Sequence, residues 1–334
     1  MRELVLMEDI PIHVDHKSGR FIDQIRLFIR SRNLAYATEQ TYVSWILRFI
    51  RYHNKKHPSE MGQAEIEAFL NYLVLQRYCS KSTQRTALNA VIFLYSKFLQ
   101  REDIGQLNLK FSKRQPKIPV VFTHEEAIKV IDDLEGKHKL MVKLMYGSGV
   151  RISELIRLRV KDIDFGMNQT IIMDGKGGKD RITLLPDCLI EPLKKQIDLV
   201  ALIHTQDLVD GYGEVYLPNA LSVKYKNAPK ELKWQYLFPS HLISVDPRSG
   251  IKRRHHINKG TLTKQVAMAI RQTKIHKKAS SHTFRHTFAT QLLLKGYDIR
   301  TVQELLGHSN VATTEIYTHV IKQGNAGVKS PIDF

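Results

Sequence analysis

The chain has 334 residues, 43% of them hydrophobic, and carries 51 Lys and Arg against 33 Asp and Glu, a formal net charge of +18. That length accommodates two domains with a core each, and no apolar run is long enough to cross a bilayer. So large a positive excess points to a polyanion as partner, and no basic amphipathic helix or lipidation signal diverts it to a membrane surface. Cys79 and Cys188 are the only cysteines and form no motif, and the stretch MRELVLMEDIPIH does not read as a signal peptide, so a reducing cytoplasm is the expected setting.

Residues 1–16 lack periodicity and read as an N-terminal arm. Four helical patterns follow within residues 17–108. Phe21, Ile25, Phe28 and Ile29 mark the first. Tyr42, Trp45, Ile46, Phe49 and Ile50 mark the second. Ile66, Phe69, Leu70 and Leu73 mark the third, and Leu88, Val91, Ile92, Tyr95, Phe98 and Leu99 the fourth, with Ser82 or Thr83 as its expected cap. Tyr42 and Trp45 share the stripe of Phe49 and are expected in the core, whereas Lys81, Arg85 and Lys97 lie off the stripe, either meeting phosphates or forming a solvated face. Residues 109–119 hold KFSKRQPKIP, basic and proline-interrupted, which reads as a linker.

The second domain, residues 120–321, opens on a capping box, Thr123 and Glu126 in T-x-x-E. The segment GSGVRISEL breaks one helix and restarts another, placing Arg151 near a helix N-terminus, where an anion is welcome. Pairing with Glu154 is its plain structural alternative. Residues 170–173 and 181–185 are β-type runs around DGKGGKD, a hairpin with Lys176 at its tip. The P-loop spacing is absent. Six aromatics stand in residues 212–238 (Tyr212, Tyr216, Tyr225, Trp234, Tyr236 and Phe238), well above the 8% of the whole chain, and IKRRHHINK follows. Aromatics beside cations suit stacking on unpaired bases. For Tyr225, Tyr236 and Phe238 a core position is the favoured reading.

Residues 280–320 read as three short helices with polar residues at their ends. Phe284, Phe288, Ala289, Leu292 and Leu293 form one apolar face. Gly296 stops that helix, Asp298 caps the next, and Ile299, Val302 and Leu306 form its stripe. Gly307 ends it and leaves His308 on a turn, before a helix with Ile316, Val320 and Ile321 facing inward beside Tyr317. His282 and His286 are spaced like a metal pair, but the Glu of H-E-x-x-H is missing, and no metal is expected.

The order H-T-F-R-H, then L-L-G-H, then a tyrosine nine residues on resembles the tyrosine recombinases, the lambda-integrase family. The resemblance implies a mainly α fold with a small β-hairpin or sheet: an N-terminal helical, SAM-like DNA-binding domain and a C-terminal catalytic domain that clamp DNA through the basic linker. It implies Tyr317 as nucleophile, Arg151 and Arg285 as phosphate-binding arginines, His308 as a further donor, His282 as general base and Lys176 as the acid for the leaving 5′ oxygen, with Lys179 its alternative should the hairpin register slip. A 3′-phosphotyrosyl intermediate keeps the ester energy, so neither ATP nor a divalent ion is implied, and no cofactor is expected. Residues 217–239, LPNALSVKYKNAPKELKWQYLFP, resemble the extra patch of integron integrases, within an insertion spanning about 205–260. That subgroup grips bases protruding from folded single-stranded cassette sites. By this resemblance Trp234, His255 and His256 hold bases, and Lys252, Arg253 and Arg254 serve the backbone. A homotetramer on two DNA sites, with the tail at 322–334 docking on a neighbour, is the implied bacterial assembly. An integrase acting on duplex sites, a type IB topoisomerase and a non-cutting basic DNA-binding protein remain the alternatives.

Overall fold

The first helical stripe folds as read. α1 (Phe21–Ser31), α2 (Tyr36–Tyr52), α3 (Gln63–Leu75) and α4 (Lys81–Ile92) pack around Ile25, Ile29, Ile46, Phe49, Ile66, Leu70 and Val91. A π-helical turn, Phe93–Phe98, continues α4 and buries Leu94 and Tyr95. Trp45 is buried and Tyr42 half-buried against the same core, while Lys81, Arg85 and Lys97 are exposed. The cap of α4 is Ser80, whose hydroxyl accepts from the Thr83 amide, rather than Ser82 or Thr83. The computed structural model describes residues 10–112, 118–173, 180–217 and 221–325, and the chain divides at Lys117/Ile118 into two compact units. Within the expected arm, Ile10 and Val14 are buried.

The start of the expected linker differs from the reading. Gln63, Glu67 and Asn71 recur at four-residue spacing on α3 and form a polar stripe beside the core. Gln63 donates to the Gln106 carbonyl, Glu67 accepts from the Asn108 amide and Asn71 accepts from the Lys110 amide. The buried Gln84 then donates to the Lys110 carbonyl at 2.8 Å and accepts from Ser112. Amide side chains thus replace a strand partner, and residues 106–112 are strapped to the helical unit. Leu107 and Leu109 alternate along the segment and pack against the helical core, so the strap is held by side chains as well as by these bonds.

In the second unit α5 (His124–Asp132) begins at the expected capping box, and α6 (Gly136–Ser148) supplies Met141, Leu144 and Met145 to the core. α7 (Ile152–Leu155) is a single turn. β1 (Ile163–Asp164), β2 (Gln169–Ile172) and β3 (Arg181–Leu184) form an antiparallel sheet in which Thr170 faces Thr183 and Ile172 faces Arg181. α8 (Ile190–Val209) and a short α9 (Leu221–Lys224) lead to a two-stranded ribbon of β4 (Pro239–Val245) and β5 (Lys252–His256). α10 (Lys259–Gln272), α11 (Ser281–Leu294), α12 (Ile299–Leu306) and α13 (Ala312–Asn325) complete the unit. Phe238 lies in the main core and Tyr236 in a satellite cluster with Val215 and Leu217, whereas Tyr225 is 46% exposed and is not a core residue. Ile316 likewise faces outward at 40% exposure. Among the described residues, no helix is long and apolar enough to cross a membrane.

Each strap bond is a modest contribution, about 0.5–1.5 kcal/mol. Replacing both Asn71 and Gln84 by Ala removes three of them, so trypsin should cut after Lys110 at least about tenfold faster while the helical circular-dichroism signal is kept. An unchanged rate would show that the strap is held by something else.

Candidate active site

Two helix ends converge at the site, and their last carbonyls lack intrahelical partners. α6 ends at Gly149 in the left-handed region, φ +64°, and a Cβ there would stand 2.4 Å from Phe288 Cδ1. α12 ends at Gly307, φ +63°. Thr183 donates to the Ser148 carbonyl at 2.7 Å, and Arg181 Nε donates to the Leu305 carbonyl at 3.0 Å. Arg285, on α11, reaches both ends. It donates to the Gly149 and Leu306 carbonyls at 2.6 Å each and to His308 Nε2 at 3.1 Å. At 4% exposure its guanidinium is nearly dry, and burial, then the Arg151 charge, lower its pKa to about 9, so it stays a cation at neutral pH.

Arg151 precedes the single turn of α7. Four residues make no sustained helix dipole, so what it offers an anion is its guanidinium rather than a helix end. The alternative pairing with Glu154 is present, and it extends to Arg181. Glu154 accepts from the Arg151 amide and from Arg151 Nη1 at 2.8 and 2.7 Å, and from Arg181 Nη1 and Nη2 at 2.9 and 2.7 Å. The Glu154 pKa is about 2, the arginine bonds and charges outweighing the opposing effect of burial, which is the largest single influence. One carboxylate, paired with Arg151 and Arg181, stands among three arginines counting the nearby Arg285, so the cluster keeps two positive charges in excess.

Tyr317 is 3% exposed, and its hydroxyl lies 2.9 Å from His286 Nδ1. Burial raises its pKa, against the pull of Arg285 and Arg151. His308 stacks on the Tyr317 ring at 6.4 Å. Because Arg285 donates to His308 Nε2, the ring proton sits on Nδ1 and is given to Thr314 Oγ1 at 2.9 Å. The Gln303 carbonyl accepts the His308 amide, and Gln303 Nε2 donates to the His308 carbonyl, so the turn is clamped from both sides. Burial first, then the arginine charges, lower the His308 pKa to about 4. Burial, then His282 and Arg285, does the same for His286. His282 is exposed on the same face of α11, 6.2 Å from the His286 ring. Its pKa is lowered by desolvation and then by Arg285, Lys259 and Arg151. With the side chain open to solvent, the cations are the firmer cause.

Arg151, Arg285, His282, His308 and Tyr317 are therefore brought together. Lys176 and its alternative Lys179 lie outside the described residues. Four further residues join the site without having been singled out for it: His286 on the nucleophile, Arg181 and Glu154 under Arg151, and Thr314 behind His308. His286 was in view as a metal ligand only. Its i+4 relation to His282 was the available signal, and it marked a shared helix face rather than a metal. Among the described residues no group of three His, Cys, Asp or Glu side chains is placed to hold a metal ion.

The second candidate group is divided by burial. His255 and His256 are buried, tilted against one another at 3.9 Å and both edge-on to Tyr236. Arg253 is buried beside Asp246, and Arg254 grips Asp207 with two nitrogens and the Ser240 carbonyl with a third. These four side chains thus sit within the protein's own packing and ion pairs. Trp234 is half-buried, with Lys161 Nζ 4.8 Å from its ring centre, and Lys252 is exposed.

Residues 121–323 match the model of the phage integrase family, and residues 21–104 match its N-terminal SAM-like domain. An Escherichia coli protein named integrase/recombinase is 44% identical over 95% of this chain and 94% of its own length. A tyrosine recombinase XerA from Thermococcus onnurineus is 31% identical over 82% and 84%. Among solved structures, a lambda integrase tetramer bound to a Holliday junction is similar at TM-score 0.60 and 15% identity, over 89% of this chain and 75% of that one. XerH bound to its difH substrate before cleavage is similar at 0.59 and 21%, over 92% and 84%. Both likenesses concern the fold.

The depressed imidazoles set a pH dependence. The unfolded chain takes up protons near pH 6.5 that His286 and His308 refuse until about pH 4, so stability is complete above 6.5 and is lost as pH falls through that window. At pH 5 the loss is on the order of 1–2 kcal/mol per imidazole. Urea midpoints at pH 7.5 and 5 should therefore differ clearly in the wild type and much less in the His286→Gln, His308→Gln double variant. Equal differences in both proteins would place the proton uptake elsewhere.

Proposed function

The chain belongs to the phage integrase family of tyrosine recombinases, enzymes that cut and rejoin DNA, and from that premise we propose that Tyr317 is its nucleophile and that it recombines sites of the integron type. The observation that carries the first part is the unneutralised cationic cluster around a buried tyrosine hydroxyl. A cluster with two excess charges, dry at Arg285, is costly unless an anion completes it. A DNA phosphodiester is such an anion.

In this reading Arg151 and Arg285 present planar forks to the non-bridging oxygens. His308 is neutral, and on arrival of the phosphate it turns a ring N–H toward it. Donors of this kind contribute typically about 10²–10³ in rate each. A free tyrosine is only about 0.1% phenolate at neutral pH, a deficit of roughly 4 kcal/mol, and burial enlarges that deficit here. Ionisation is therefore tied to engagement. As Tyr317 leaves His286 and meets the cations around the phosphate, its proton passes to His282. His286 is the poorer base, because its pKa of about 4 makes the imidazolium hard to form. Attack on phosphorus forms a 3′-phosphotyrosyl ester and expels the 5′ oxygen, which Lys176 protonates to a free 5′ hydroxyl. The reverse attack by another 5′ hydroxyl reseals the strand. Four protomers on two sites would exchange two pairs of strands.

For the site type, Trp234 with Lys161 against its ring and the exposed Lys252 suit stacking on a protruding base beside its backbone. The burial of His255 and His256 favours a second reading, a recombinase of ordinary duplex sites, in which that segment is packing.

Sites would be selected by binding from two random pools, one of duplexes and one of hairpins with unpaired bases, and labelled at the 5′ end. In EDTA and without ATP, wild type should carry label into the protein band of a denaturing gel, and Tyr317→Phe should reduce this by at least about 10³-fold. Trp234→Ala should lower trapping on hairpins about tenfold or more and spare duplexes. An equal effect on both would leave the duplex reading, and trapping by Tyr317→Phe would end the assignment of the nucleophile.

A further inference from the structure

We propose that Arg181 is a positioning residue of the active site, holding Arg151 and the His308 turn in one arrangement and drawing Glu154 away from neutralising Arg151. The inference rests on the recombinase reading for its effect on catalysis, but its structural part stands on geometry alone.

Arg181 begins β3 and spends its whole fork on catalytic neighbours. Two nitrogens clasp both oxygens of Glu154, at 2.9 and 2.7 Å, and Nε bonds the Leu305 carbonyl at 3.0 Å. Its stem lies where a side chain at Gly307 would be, since a Cβ there would stand 2.6 Å from Arg181 Cδ. Leu305 and Gly307 form the end of α12 from which His308 is aimed. Arg181 therefore touches the carboxylate behind Arg151 and the backbone ahead of His308 at once.

The charge argument points the same way. Glu154 already has both oxygens on Arg151, one on its amide and one on Nη1. Alone with Arg151 the carboxylate would cancel its charge and turn toward it. A bidentate arginine on the opposite side fixes the carboxylate plane and takes up half of its charge. Arg151 then stays an effective cation for a phosphate. Lysine at 181 would keep a charge but could not span both oxygens and the Leu305 carbonyl.

The test compares Arg181→Ala and Arg181→Lys with Thr183→Val, which loses the neighbouring bond from β3 to the Ser148 carbonyl. The first readout needs no DNA. Nitrogen-15 spectra of the imidazoles, with His308 assigned by its loss in His308→Gln, should show one tautomer in the wild type. Arg285, Arg151, Arg181 and His286 face that ring. In Arg181→Ala the tautomers should mix and the titration should move toward neutral pH. Arg181→Lys should fall between, and Thr183→Val should match the wild type. The second readout uses the duplex selected above. Arg181→Ala should slow trapping about 100-fold with less than a threefold change in the half-saturating DNA concentration, and Arg181→Lys should recover at least tenfold of that loss. The proposal is overturned if Arg181→Ala behaves as Thr183→Val in both readouts, or if Arg181→Lys is no better than Ala. Should the wild type trap no DNA while the His308 signals change as expected, the recombinase reading fails and the positioning role of Arg181 stands.

Discussion

Everything at the site depends on a buried guanidinium held by the ends of two helices. The C-termini of α6 and α12 each leave carbonyls without intrahelical partners, and Arg285 takes one from each. Burying a cation is costly unless its donors are met, and the negative ends of two helices meet them. The adjacent carbonyls, Ser148 and Leu305, go to Thr183 and Arg181, which share one face of β3. Arg285 thus ties α6, α11 and α12 together, and the two glycines that end the helices leave room for it; Thr183 only satisfies a neighbouring carbonyl, whereas Arg181 also reaches Glu154.

From this lock the electrostatics follow. Glu154 pairs with Arg151 and Arg181 while Arg285 stands nearby, so the cluster is cationic, and burial first and then these charges keep the surrounding imidazoles neutral, with pKa values of about 4 for His286 and His308. Burial and cations oppose one another at Tyr317, with burial winning in the described state. The hydroxyl is parked on His286, with almost no access to solvent. A phosphate entering the cluster would change that balance, because it draws the cations onto itself and demands that Tyr317 turn outward. Activation by substrate is then a consequence of charge rather than of a separate switch.

Much of this was legible in the chain. The helix-ending glycines, the stripe of Phe284 and Phe288, and the cap at Asp298 placed Arg285 and His308 on their elements before any coordinates. What lay beyond reach were relations across the chain. Glu154 could be paired with Arg151 by spacing, but Arg181 stands 27 residues further on, and only the β3 register brings it back. The Gln63–Glu67–Asn71 stripe lies beside the apolar stripe of α3, and it is the seat of residues 106–110. Ile316 and Tyr225 failed for a related reason: hydrophobic type did not reveal that their side chains stay 40% and 46% exposed. His255 and His256 read as base contacts through the resemblance to integron integrases, yet an irregularity in the β4–β5 register leaves both consecutive rings packed against Tyr236.

The central claim is that the cationic cluster exists to bring a phosphodiester to Tyr317. Its most direct test is the chemical identity of the protein–DNA link. After trapping, digestion with nuclease and trypsin and mass spectrometry should find a nucleotide attached through its 3′ phosphate to the peptide of residues 301–322, with fragmentation placing it on Tyr317. A nucleotide on any other residue, or a protein that binds the selected DNA tightly and forms no link at all, would contradict the account.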